Sequence, residues 1–518
     1  MQEVSIDKVL ELFAPRIRDL LSLILSIEDD EPEQFHTTRP MLNYLKAKSE
    51  QAEELLDAYG ARTNAQWFPL RESVATLKNF STACYELLHI LYSCQYYNLG
   101  NELEGFVNDT SLYTNLLANM IRKAMCTLLN QARALGLASN LEKKVFDFSE
   151  VVPNVRLPRN RKHEGPDSVK NRINALATNV LNTTEDVNNF KKLAKVAPSK
   201  WDSLDFDFLN ETRIRSLEVD MHVLQSLYDT YVSDSETENS DPDLLKLRGR
   251  ITGALHLLRI LTIYVHYYER HICHPGCSDE KDYVDITPFR NAIIKYLAHY
   301  IALFLGEGRK LCSALLRKYC VMKTVTVKVP PYIGFHMRPS TLVAAIVMHY
   351  GCDVTLRLGT SEYDASNAFN LMQANGFIDQ KKRAFLLQNL GKRDFSAIDE
   401  QIASGKVDRR LAIRNILYKL ASEGIVKLYK VPVEIEDVPL DDMASLCQNV
   451  YNAVEYLMKN DRRMGISFDA SITFTGPEQA VDDIAVLAEA DYGESEQGVD
   501  LPLPHRLDYL NFKRRIAK

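Results

Sequence analysis

The sequence predicts a multidomain protein: an all-α helical bundle in the N-terminal region, followed by an α+β unit that a mostly helical insertion splits in two. Three observations predict it. Apolar residues recur at helical spacing from residue 1 to about 320, the pattern turns to alternation at residue 324, and alternation returns only near residue 466. At 518 residues the chain is also too long for one ordinary core. Its 46% hydrophobic and 25% charged residues are those of a folded globular protein, and a net charge of -7 excludes a general electrostatic pull toward nucleic acid or anionic membrane.

The helical region reads as segments near 4–29, 34–58, 67–96, 111–138, 168–195, 208–232, 242–273 and 285–320. Within it Leu117, Met120, Ile121, Ala124, Met125, Leu128 and Leu129 step by one, three and four, which puts them on one helix face that must be buried against a partner. The aromatics of SCQYYN and IYVHYYE are expected to pack in the core rather than line a ligand pocket. Two stretches, 151–168 and 233–243, read as exposed loops because one is rich in proline and basic residues and the other is polar and acidic. They suggest a bundle at 1–150 and a second helical region at 166–322, with continuity between the two left open.

Nine scattered cysteines, an odd number set mostly in helical patterns, suggest reduced thiols and a cytoplasmic protein. The first residues form an amphipathic, partly acidic helix unlike a signal peptide, and no run of about 18 apolar residues predicts a membrane span. His271, Cys273, His274 and Cys277 carry metal-binding side chains, but four ligands within seven residues cannot easily surround one ion, so a turn and no metal is expected. No phosphate-binding glycine loop, dinucleotide fingerprint or serine elbow appears, and no cofactor is expected.

From residue 324 TVTVKVP alternates as a half-buried strand, followed by a loop at 331–336, a helix from Met337 to Tyr350, strands at 352–358 and 361–364, and a short helix at about 366–375. Alternation resumes in ISFDASITF at 466–474, then a helix runs from Pro477 to about Ala490, and 494–518 reads as a tail. His336 stands immediately before a helix whose first turn holds Arg338, Pro339 and Ser340. Free amides and the positive dipole end at a helix start favour an anion, Pro339 fits the first turn without loss, and Arg338 adds a cation. Gly334 lets the loop turn tightly beside the imidazole, a competent nucleophile toward phosphorus at neutral pH. A lone histidine at a helix start is otherwise most often a cap or a surface residue.

The order strand, Gly-x-His-x-Arg-Pro, helix, strand, strand, short helix, strand, helix resembles the HPr family of phosphocarrier proteins. Residues 323–376 and 464–493 together span 84 positions, about the length of a free-standing member. The resemblance implies an open-faced β-sandwich with three helices on one side. It also implies a phosphoryl group received on His336 from an enzyme I-type donor, stabilised by Arg338, and passed to a protein acceptor or effector. In regulatory members a serine opening the second helix is phosphorylated, for which Ser366 is the candidate, with Asn367 or Ala368 as alternative occupants of that position and a plain helix cap as the simpler role. Met337 departs from the small residue typical of the family.

The insertion, 377–463, reads as three helices, a glycine and a strand, an order that resembles a winged helix in outline. Residues 377–430 hold twelve Lys and Arg against six Asp and Glu, and Arg409, Arg410 and Arg414 would decorate the third helix. The functional expectation is a phosphoryl-carrier protein or phospho-sensor acting as a regulatory switch rather than a stand-alone enzyme. The alternatives are an unphosphorylated docking scaffold, or a DNA-binding regulator working through the basic insertion.

Overall fold

The structure, a computed structural model, describes residues 5–28, 37–150, 166–197, 208–272, 286–495 and 498–514 without 461 and 469, together with the single positions 35, 157 and 200. The chain forms two compact units, Met1–Leu315 and Leu316–Lys518. It is mostly helical, with a small four-stranded antiparallel sheet.

Helices α1 (Ile6–Ile27), α2 (Arg39–Ala58), α3 (Phe68–Ser93), α4 (Leu103–Ala134), α5 (Pro166–Thr183), α6 (Val187–Leu193), α7 (Glu211–Tyr231), α8 (Glu236–Ser240), α9 (Pro242–Tyr267), α10 (Ile286–Asn291) and α11 (Ala298–Tyr319) follow in order. Helix α3 packs against α2, α4 and α9, and is buried on nearly every side between Leu70 and Ile90. Gly253 permits α9 and α11 to approach, since a Cβ there would stand 2.8 Å from the Phe304 ring. Two of the buried tyrosines are core residues with satisfied hydroxyls: Tyr267 meets Thr76 at 2.8 Å and Tyr296 meets Thr110 at 2.9 Å. Arg71, 7% exposed at the side chain, is offset by Glu53, Asp57 and Glu72 at 3.0, 2.9 and 2.9 Å. Burial works against its charge, but these carboxylates hold the guanidinium above its ordinary range.

Two expectations for this unit change. Helix α4 begins at Leu103 rather than near 111. The acidic 233–243 stretch is not an exposed loop: Ser235 caps α8, and Glu238, 2% exposed, accepts from the Tyr228 hydroxyl at 2.8 Å and from the Asp234 amide. An acid that receives two donors can be buried, which composition alone does not reveal.

The second unit contains β1 (Met322–Lys328), α12 (Met337–Tyr350), β2 (Thr355–Leu358), β3 (Ser361–Asp364), α13 (Ala368–Gly391), α14 (Ser396–Ala403), α15 (Arg409–Ser422), β4 (Val426–Leu428), α16 (Leu446–Lys459), β5 (Met464–Ile466), β6 (Ser471–Pro477) and α17 (Glu478–Glu489). Its sheet runs β1-β6-β2-β3, every pair antiparallel, with Val325 opposite Phe474 and Leu356 opposite the same Phe474. Alternation therefore sends Val325, Val327, Leu356, Leu358, Ile472 and Phe474 to one face, where they pack with Val343 and Val347 of α12, Leu371 of α13 and Ile484 of α17. The other face carries Thr324, Thr326, Thr355, Thr473 and Thr475, with Thr324 and Thr475 hydroxyls 3.0 Å apart.

The short helix expected at 366–375 is instead the first part of α13, which runs unbroken through Gly376. A helical glycine costs only about 1 kcal/mol, and the leucines beyond it recover this: Leu371 and Ala374 lie in the sheet core, Leu386 and Leu390 in the insertion core. The boundary at 463/464 also shifts, because β5 pairs with β4 of the insertion and only β6 returns to the sheet. The expected tail packs as well: Leu503, Leu507, Tyr509 and Leu510 join the sheet core. Its apolar residues are spaced four and three apart, and the segment packs against α12 and α17.

Candidate functional site

The loop before α12 is strained. Ile333 (φ 42°) and Gly334 (φ 75°) lie in the left-handed region, rare for a β-branched residue. Asn375 of α13 holds this bend: its Nδ2 donates to the Ile333 carbonyl at 3.0 Å and its Oδ1 accepts from the Phe335 amide at 3.2 Å. Fully buried Phe335 meets the Tyr492 ring edge-on at 5.8 Å. His336 then takes the N-cap position of α12 with extended backbone, its carbonyl accepting from the Ser340 amide at 3.2 Å. Pro339 occupies the first turn, and Ser340 is buried with an unpaired Oγ.

The imidazole makes one hydrogen bond among the described residues, Nε2 to Glu494 Oε2 at 2.5 Å, with Glu494 only 5% exposed. Tyr332 lies edge-on to the ring at 5.8 Å. Because a carboxylate accepts, Nε2 carries a proton, and in the neutral imidazole the lone pair is then on Nδ1. Arg338 faces the same closing segment: Nε donates to the Gly493 carbonyl at 3.0 Å, Nη1 to Asp500 Oδ2 at 3.0 Å, and Nη2 to the Leu501 carbonyl at 3.5 Å. Residues 491–495 and 498–501 form a folded clasp. Asp491, Tyr492 and Gly493 are consecutive left-handed residues at 49°, 57° and 71°, and Glu494 bridges back to Asp500. Thus His336 and Arg338 share one site, closed by two carboxylates.

The other singled-out residues lie elsewhere. Ser366 is partly exposed and is not the cap of α13; Asn367 is, accepting from the Phe369 amide at 2.9 Å, while the Ser366 amide donates to Asp364. Arg409 donates to the Asp441 and Asp442 carbonyls, and Arg410 to those of Ile435 and Val438, so both tie the insertion together; Arg414 is half-buried. His271 is buried against Glu72, whereas Cys273, His274 and Cys277 lie outside the described residues. Among the described residues no group of His, Cys, Asp or Glu could hold a metal, and no helix is long and apolar enough to cross a membrane.

Sequence reading missed Glu494, Asp500 and Asn375. The only local signal was the acidic run with glycines, DYGESEQG, just past the last helix. Comparison with protein-family models, with curated proteins and with solved structures finds no match.

Proposed function

We propose that the second unit is an HPr-like phosphohistidine carrier or phospho-sensor in which His336 accepts a phosphoryl group from an enzyme I-type donor and acts as a regulatory switch. The observation that carries this is the 2.5 Å bond from Nε2 to Glu494, which leaves Nδ1 as the nucleophilic nitrogen at a helix start. The Nδ1 lone pair forms the N–P bond as the bond from phosphorus to the donor atom breaks, and the Nε2 proton stays shared with Glu494, balancing the new positive ring. The four-stranded sheet with helices on one face is consistent with the reading.

The switch follows from like charge. A phosphoryl group adds about two negative charges near Asp500, which repels that carboxylate and frees Arg338 to hold the phosphate, while Glu494 keeps its bond to the Nε2 proton. The full chain incubated with phosphoenolpyruvate, enzyme I and HPr is expected to gain acid-labile phosphate, lost in His336→Ala. Phosphorylation should also expose residues 498–501 to hydrogen exchange. Absence of label would favour the second reading, an unphosphorylated docking module, which the present engagement of Arg338 by the clasp supports. In Glu494→Ala, labelling should slow by about 10–100-fold, the range seen when an imidazole loses its orienting carboxylate. Ring ¹⁵N shifts of His336 should change from the Nε2–H tautomer to a mixture; an unchanged tautomer would deny Glu494 the orienting role.

A further inference from the structure

On another side of His336 lies a cavity of about 230 Å³, walled by the site loop, by α13, and by the end of α16 and the residues after it. His336 and Asn375 contribute from the sheet side. Four cations, Lys382, Arg383, Lys459 and Arg462, line it against two carboxylates, Asp379 and Glu455. Arg383 and Glu455 neutralise one another at 2.9 Å. What remains is an excess of positive charge.

Lys382 is the telling residue. It is 7% exposed, yet it forms no hydrogen bond or ion pair with any described residue. Burial pushes its pKa down; Asp379, one turn earlier, restores only part of this, and Lys427 adds to the fall. A buried ammonium without a partner is costly unless an anion completes it. It borders both this cavity and an adjoining groove of about 1090 Å³ that opens it to solvent. Arg462, at the mouth, is held at φ 47°, a conformation unfavourable for a side chain, so its presence there is not a backbone requirement.

We propose that this cavity binds a small phosphomonoester, its phosphate received by Lys382 with Lys459 and Arg462 at the mouth. Glu455 is shared by Arg383 and, at 3.8 Å, by Lys459, so the four cations of the lining face two carboxylates, a surplus that matches a dianion. Size limits the ligand. At about 30 Å³ per water the cavity holds roughly seven or eight waters, enough for a compound of about ten non-hydrogen atoms. The proposal goes beyond the phosphoryl-carrier reading and does not depend on it, because binding here is non-covalent and needs no donor protein.

Titration calorimetry on the full chain at constant ionic strength tests it with glycerol 3-phosphate, inorganic phosphate and glycerol as probes. Glycerol 3-phosphate is expected to bind one-to-one and glycerol not at all. Lys382→Met, which keeps the stem and removes the charge, should weaken binding by about tenfold or more, the scale of a lost charge-assisted bond. Arg462→Gly, which relieves the backbone and so preserves the fold, should weaken it about threefold or more. No saturable binding at millimolar ester, or equal affinity in the parent and both variants, would overturn the site. Equal affinity for inorganic phosphate would overturn the ester assignment.

Discussion

Gly334→Ala is expected to destabilise the protein by about 3–5 kcal/mol and to loosen the bond between His336 and Glu494. The backbone term comes first: φ 75° costs an L-residue about 1–2 kcal/mol. The steric term is larger. A Cβ on Gly334 would sit 2.0 Å from Asn375 Oδ1, so that side chain must leave its place. It then abandons the Phe335 amide and the Ile333 carbonyl, each loss worth about 1–3 kcal/mol where the group stays buried. Urea unfolding followed by circular dichroism measures the sum. Asn375→Ala removes the obstacle along with the bonds, so the double variant should fall short of additivity by about 1 kcal/mol or more. Additive losses would mean that Asn375 does not clamp the bend.

Much of the second unit was legible because its signals are local. Alternation in TVTVKVP places β1, and His336, Pro339 and Gly351 mark where α12 starts and stops, with Gly351 left-handed at the helix end. What could not be read depends on distance or on context. Glu494 lies 158 residues from His336, and nothing in its own neighbourhood distinguishes it from a solvated acid. The helix expected to end at about 375 runs on because core contacts on both sides of Gly376 keep α13 intact. Arg409 and Arg410 of α15 donate to carbonyls of 435–442, and a sequence shows their charges but not these acceptors. The site was therefore legible as a histidine and an arginine at a helix start, and illegible as a histidine already held by a clasp.

Asp483→Ala is expected to be as disruptive as Gly334→Ala, by attacking the clasp from its anchor. Asp483 on α17 is 1% exposed and accepts from three donors: the Tyr350 hydroxyl of α12 at 2.7 Å, the Tyr509 hydroxyl at 2.7 Å and Arg506 Nε at 2.6 Å. Burial, reinforced by this carboxylate, pushes both tyrosines well above their ordinary range, so they stay neutral donors. Alanine leaves two hydroxyls without their acceptor and Arg506 without its counter-charge, a loss of about 3–5 kcal/mol. Asp483→Asn keeps one acceptor oxygen and should lose less. The consequence reaches the site because residues 503–510 continue directly from the clasp. Once Arg506 and Tyr509 are released, hydrogen exchange should accelerate across 493–510, and Glu494 should leave Nε2. Gly334→Ala moves the histidine and Asp483→Ala moves the glutamate, yet both break one bond, so both should shift the His336 ring ¹⁵N signals toward the tautomer mixture expected of Glu494→Ala. If Asp483→Ala frees the closing segment while those signals hold, the strained turn at 491–493 alone positions Glu494, and the anchor at Asp483 serves stability without serving the site.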